Sequence, residues 1–133
     1  MIAYTTKPIY LDPELSDYFA RNLDGNTVHL PGNSNEVLPL NTVPGLFAVA
    51  LCSKAVLALA EFKGIICAKQ ALVKFISPML KGQTLILKGD YEDSPHRSLK
   101  NVVYRKCINH VFILNTDNKV MEYEIVQLVR NSN

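Results

Sequence analysis

The run from Val43 to Ala60 constrains this chain more than any other segment. Its eighteen positions are apolar apart from Ser53 and Lys54. That length approaches the roughly 20 residues needed to span a bilayer. Lys54, near its middle, would cost a few kcal/mol there. Seven small residues (Gly45, Ala48, Ala50, Ser53, Ala55, Ala58 and Ala60) suit close packing against protein instead. The segment therefore reads as a helix buried in a soluble fold. It opens near Thr42-Val43-Pro44-Gly45, where Pro44 suits a first helical turn, and ends near Phe62-Lys63-Gly64. A helix that is apolar on nearly every face must be covered nearly all round.

The rest of the chain predicts what covers it. Ile2 to Leu11 reads as a short strand. Asp12-Pro13-Glu14 reads as a helix start, with Asp12 as cap and Pro13 in the first turn. Leu15, Tyr18, Phe19 and Leu23 then recur at helical spacing to about Asn22. Residues 30–42 form a loop rich in Pro, Gly, Asn and Ser. After the apolar helix come four strands: Ile65 to Ile76, Gln83 to Tyr91, Val102 to Leu114 and Val120 to Val129. Thr116-Asp117-Asn118-Lys119 reads as a hairpin loop, with Asp117 and Asn118 accepting positive φ. The order is α+β: a helix, a loop, a long apolar helix, then an antiparallel meander. A single curved sheet wrapped around the central helix satisfies it, which is the hot-dog architecture. With 133 residues, the expectation is one domain spanning 1–133.

Charge and cysteine usage narrow the function. Fourteen basic and twelve acidic residues give a net charge of +2 with no basic block, so nucleic-acid binding is not expected. Cys52, Cys67 and Cys107 are widely spaced and form no CxxC pair, so no metal is expected; they read as reduced, mostly buried thiols of a cytoplasmic protein. The first ten residues lack a signal-peptide pattern.

Candidate chemistry sits in Asp24-Gly25-Asn26-Thr27-Val28-His29-Leu30. A carboxylate and an imidazole lie five positions apart, with Gly25 and Asn26 between them to allow a sharp bend. Asp and His together suit proton movement near neutral pH.

This stretch resembles the Asp-x-Asn-Pro-[Ile/Val]-His-[Leu/Arg] signature of the MaoC-like (R)-specific enoyl-thioester hydratases, with Thr27 in place of the proline. Residues 69–85, from Lys69-Gln70 through Phe75-Ile76-Ser77-Pro78 to Gly82-Gln83-Thr84-Leu85, are similar to the family's strand, kink and following strand. Asn41 to Leu51 resembles the start of its central helix. The chain departs from the family at Pro31, usually Asp, at Pro44, usually His before glycine, and in the shortness of the loop after His29.

The resemblance implies a lyase of fatty acid metabolism that interconverts an enoyl thioester and a 3-hydroxyacyl thioester, carried on coenzyme A or acyl-carrier protein. It implies Asp24 and His29 as the acid–base pair, Asn26 as a residue orienting the water or holding the loop, and the Gly45 amide as a donor to the thioester oxygen. No cofactor is implied. The expected assembly is a homodimer, without nucleic acid or membrane. Lys81, Lys88, Arg97 and Lys100 are candidates for the phosphates of the carrier. His96 is expected exposed in a polar turn, and His110 structural. Two other readings stay open: a hot-dog acyl-CoA thioesterase, for which the central helix offers only Ser53, Lys54 and Glu61, and a non-catalytic module for acyl-ligand binding or dimerisation.

Overall fold

The computed structural model describes residues 1–24 and 41–131, with Asp24 described in its backbone alone. Strand β1 (Ile2–Thr5) and the two-residue strand β2 (Ile9–Tyr10) lead into helix α1 (Pro13–Phe19) and a π-helical turn, Ala20–Asp24. Helix α2 (Gly45–Leu57) precedes a 3-10 turn, Ala60–Phe62. Four long strands follow: β3 (Ile65–Phe75), β4 (Thr84–Pro95), β5 (Val102–Ile113) and β6 (Lys119–Arg130). The fold is α+β with one six-stranded sheet, consistent with the hot-dog arrangement.

Helix α1 begins as its sequence dictates. The Asp12 carboxylate accepts hydrogen bonds from the amides of Glu14 (2.8 Å) and Leu15 (3.1 Å), and Pro13 fills the first turn.

The sheet order is β1-β4-β5-β6-β3, every pair is antiparallel, and β2 joins the same flank of β4 as β1. Alternation along the strands sends Leu85, Leu87 and Tyr91 of β4, Cys107 and Val111 of β5, and Met121 and Tyr123 of β6 into one core. Phe47, Ala48, Cys52 and Val56 of α2 complete it. These four recur at helical spacing, so one face of α2 is buried against the sheet.

Two expectations about α2 are corrected. The helix spans 13 residues rather than running from Thr42 to Gly64. The chain turns at Ala58 and Leu59, and the 3-10 turn carries it to Gly64, whose φ of 87° reverses direction into β3. Nor is the helix covered all round. Leu46 and Leu57 are 62% and 50% exposed, because the sheet reaches only one side of α2.

Two buried polar clusters organise the core, although Ser16 Oγ and Asn109 Nδ2 are buried without a hydrogen-bond partner among the described residues. Arg105 is 7% exposed and holds Asp93 through Nε (2.8 Å) and Nη2 (3.0 Å), while Nη1 donates to the carbonyl of Glu61. Its guanidinium carbon lies 3.9 Å from the Tyr91 ring centroid. The Tyr4 hydroxyl donates to Asn109 Oδ1, and Gly89 makes room for this contact. A Cβ at position 89 would fall 2.6 Å from Asn109 Oδ1 and 2.7 Å from the Tyr4 ring.

Strand β3 forms the other flank. It pairs with β6 alone among the described residues and carries bulges between Ile65 and Cys67 and between Ala68 and Gln70. Ile66, Leu72 and Phe75 on it are exposed.

Candidate active site

The start of α2 is held by the connection between β3 and β4. Val43 N–H donates to Met79 C=O (2.8 Å), Lys81 N–H donates to Asn41 C=O (2.8 Å), and Thr42 bridges Leu80. Pro44 is the N-cap and supplies no side-chain cap. Its carbonyl accepts from the amides of Phe47 (3.1 Å) and Ala48 (3.3 Å), so the Gly45 amide lies ahead of these bonds at the positive end of the helix. The ring of Phe75, at the end of β3, lies directly against Gly45. A Cβ at position 45 would sit 2.6 Å from Phe75 Cζ, so only glycine fits beneath the ring as placed.

The other candidate groups fall outside the described structure. Asp24 ends the π-helical turn, but its side chain, Asn26 and His29 lie outside the described residues. Among the described residues, no group of three His, Cys, Asp or Glu side chains could hold a metal ion.

The proposed phosphate ligands do not form a patch. Lys81 is nearly buried and paired with Asp17 at 2.6 Å, so its charge is already committed. Lys88 lies over the Phe112 ring on β4, whereas Arg97 and Lys100 belong to the β4–β5 turn. His96 is half-buried rather than exposed. It stacks on Tyr104 with centroids 4.9 Å apart, and its Nδ1 accepts from the amides of Ser98 and Leu99. His110 lies in β5, beside Lys119 (3.0 Å) and Glu122 (3.5 Å). The bond to Lys119, with burial opposing it, holds the Glu122 carboxyl below its usual range.

Helix α2 carries no carboxylate. Ser53 is half-buried beside Tyr123, Glu61 falls in the 3-10 turn beyond the helix, and Lys54 is exposed. Two of the three thiols are buried as expected, and Cys67 on β3 is exposed. Burial pushes Cys52 up to about 12. Burial likewise pushes Cys107 up to about 11, against the opposing pull of Tyr4 and Arg105.

Solved structures share this architecture. A MaoC-like dehydratase from Rhodospirillum rubrum superposes with a TM-score of 0.83 at 15% identity, over 98% of this chain and 92% of that one. The chain has the fold of that dehydratase. An unliganded R-hydratase from Pseudomonas aeruginosa gives a TM-score of 0.69 at 23% identity, covering 98% and 79%. The HadBC complex of Mycobacterium tuberculosis, a 3R-hydroxyacyl-ACP dehydratase, gives 0.70 at 18%, covering 96% of each chain. No protein-family model and no curated protein matches the sequence. No helix among the described residues is long and apolar enough to cross a membrane.

Sequence reasoning missed the Arg105–Asp93 pair and the Tyr4–Asn109 bond. The available signal was alternation. Arg105 and Asn109 fall in phase with Cys107 and Val111, which marks them as inward-facing polar residues that need partners.

Proposed function

We propose that this protein is a hot-dog hydratase or dehydratase that interconverts an enoyl thioester and a 3-hydroxyacyl thioester. The observation that carries the reading is the shared fold across 98% of the chain with a MaoC-like dehydratase, in a sequence that also holds the Asp24-x-Asn26-x-Val28-His29 pattern. In the hydration direction, hydroxyl adds to the β-carbon and a proton to the α-carbon. Asp24 and His29 serve as the acid–base pair for those transfers, and Asn26 orients the water. The carbonyl oxygen gains charge as the enolate forms. The Gly45 amide at the start of α2 is the donor that meets it, a contribution of roughly 3–4 kcal/mol in comparable sites. The lack of a side chain at position 45 makes room for the Phe75 ring against the helix start, leaving the amide rather than the Cα face as the group offered to the thioester.

The substrate carrier in this reading is coenzyme A or acyl-carrier protein. The functional unit is a homodimer, supported by the edge of β3 that is unpaired among the described residues and by the exposed Leu46 and Leu57 on α2. Hydrolysis of the thioester is the weaker reading, because α2 offers no carboxylate to attack it.

The deciding assay is loss of enoyl absorbance on adding crotonyl-coenzyme A, run beside Asp24→Asn and His29→Gln. Hydration that disappears in both folded variants supports the assignment. Thiol release with the enoyl group intact would replace it with a thioesterase.

A further inference from the structure

A groove on the outer side of α2 has the character of a second binding site. The first sheet edge creates it. Thr5 pairs with Lys88 and Ile9 with Leu85, so four steps along the edge strand match three along β4. One extra residue is therefore accommodated between them, as a bulge. Thr6 is fixed on both sides: its amide donates to Leu87 C=O (3.0 Å), and its hydroxyl accepts from Leu87 N–H (3.3 Å). The surplus falls on Lys7-Pro8, where proline offers no amide to the ladder. The irregularity brings Lys7 to the lip of a groove of about 400 Å³, facing Leu51, Lys54, Ala55 and Leu59 of the helical segment, with Tyr10 alongside.

The groove has a consistent chemistry. Its floor is hydrocarbon from the helix and the edge strand, and its volume falls within the usual range for small-molecule sites, roughly 300–1,000 Å³. Among the described residues, its two charged groups are both cationic and no carboxylate lines it. Neither Lys7 nor Lys54 takes part in an ion pair among the described residues, in contrast to Lys81 and Lys119. Ala55 lies ten residues along the chain from Gly45, about 15 Å at the helical rise of roughly 1.5 Å per residue. Leu51, the lining residue nearest Gly45 along the helix, is six residues or about 9 Å from it, so the groove runs along the later turns of α2.

We infer that this groove binds an amphipathic anion: a free acyl chain with a terminal carboxylate held between Lys7 and Lys54. Hydrocarbon displaces water from the floor, and the two ammonium groups make charge-assisted hydrogen bonds to the head. A neutral or cationic head gains nothing from the lysines, so the site discriminates by charge.

The test is titration of the full chain with monomeric dodecanoate, followed by calorimetry and by backbone amide shifts. Dodecyltrimethylammonium and inorganic phosphate serve as control probes. The expected result is dodecanoate binding, with shifts concentrated at Lys7–Tyr10 and Leu51–Leu59. The Lys7→Gln/Lys54→Gln double variant, altered only at exposed side chains, should bind at least about tenfold more weakly (about 1.4 kcal/mol). No binding of dodecanoate, shifts centred on Gly45–Phe47, undiminished affinity in the double variant, or equal binding of the cationic detergent would each overturn the inference. The readout is binding, so it stands whether or not the protein hydrates crotonyl-coenzyme A.

Discussion

Phe75 and Gly45 share a space that admits only one side chain. The ring at the end of β3 lies where a Cβ on the first residue of α2 would have to be. The clash would be with the far end of a half-exposed aromatic side chain, which can swing aside. Gly45→Ala should therefore fold, with stability within about 1 kcal/mol of the parent, since alanine also favours the helix. It should still lose at least about tenfold in kcat/KM for enoyl hydration, because the methyl group and the displaced ring obstruct the approach to the amide. Chemical denaturation beside the absorbance assay checks both halves. Full activity in the alanine variant would remove Gly45 from the site.

Arg105 joins the sheet to the chain segment after α2. It holds Asp93 with two nitrogens, Glu61 C=O with a third, and stacks on Tyr91. Asp93 is about one-third exposed, which tempers the cost of losing its partner. Arg105→Ala should destabilise the fold by about 3 kcal/mol, through lost packing as much as lost charge. Urea unfolding measures this. A loss under about 1 kcal/mol would mean that the pair behaves as a surface contact.

The buried thiols and phenols set the alkaline limit. Folded Cys52 and Cys107 titrate near 12 and near 11, above the ordinary thiol value of 9.0, and burial raises Tyr4 and Tyr123 as well. A raised folded pKa contributes stability that is complete below the unfolded value and is lost as pH climbs through the folded one. Stability should thus hold up to about pH 9 and fall progressively towards pH 12. At pH 8 a thiol reagent should label one site per native chain, Cys67, and three after unfolding. Rapid labelling of Cys52 in the native protein would contradict its burial.

Leu46, Leu57, Leu72 and Phe75 are exposed apolar side chains on α2 and on β3. The proposed homodimer covers that flank. Light scattering should give twice the chain mass at micromolar concentration, and Leu72→Glu should shift the equilibrium towards monomer. A monomeric parent with undiminished hydration would separate activity from assembly.

How legible this was in the sequence varied with the range of the interaction. Strands β3, β5 and β6 begin and end within about a residue of their apolar alternation, because that signal is local. Strand β4 continues four residues past Tyr91, through Glu92-Asp93-Ser94-Pro95, since pairing with β5 overrides the polarity of that stretch. The hairpin takes its positive φ at Asn115 rather than at Asp117 or Asn118, one residue before the segment expected to turn. Lys81 looked free because its partner, Asp17, is 64 residues away on α1. The end of α2 is hidden in the sequence because its apolar composition continues past the point where the backbone turns. Of the candidate site, Gly45 is placed at the helix start as expected, while Asp24's side chain, Asn26 and His29 lie outside the described residues.

The first sheet edge also sets a timetable for synthesis. Ile2 pairs with Tyr91, and Tyr4 reaches across to Asn109. At translation rates of about 5–20 residues per second, β1 leaves the peptidyl-transferase centre roughly 5–18 s before its partner strand has been made. Strand β1, made before its partner, is thus obliged to dock late, onto a meander assembled after it. During that interval the Ile-Ala-Tyr-Thr segment waits without its partner strand, as the apolar face of α2 waits for the sheet that covers it.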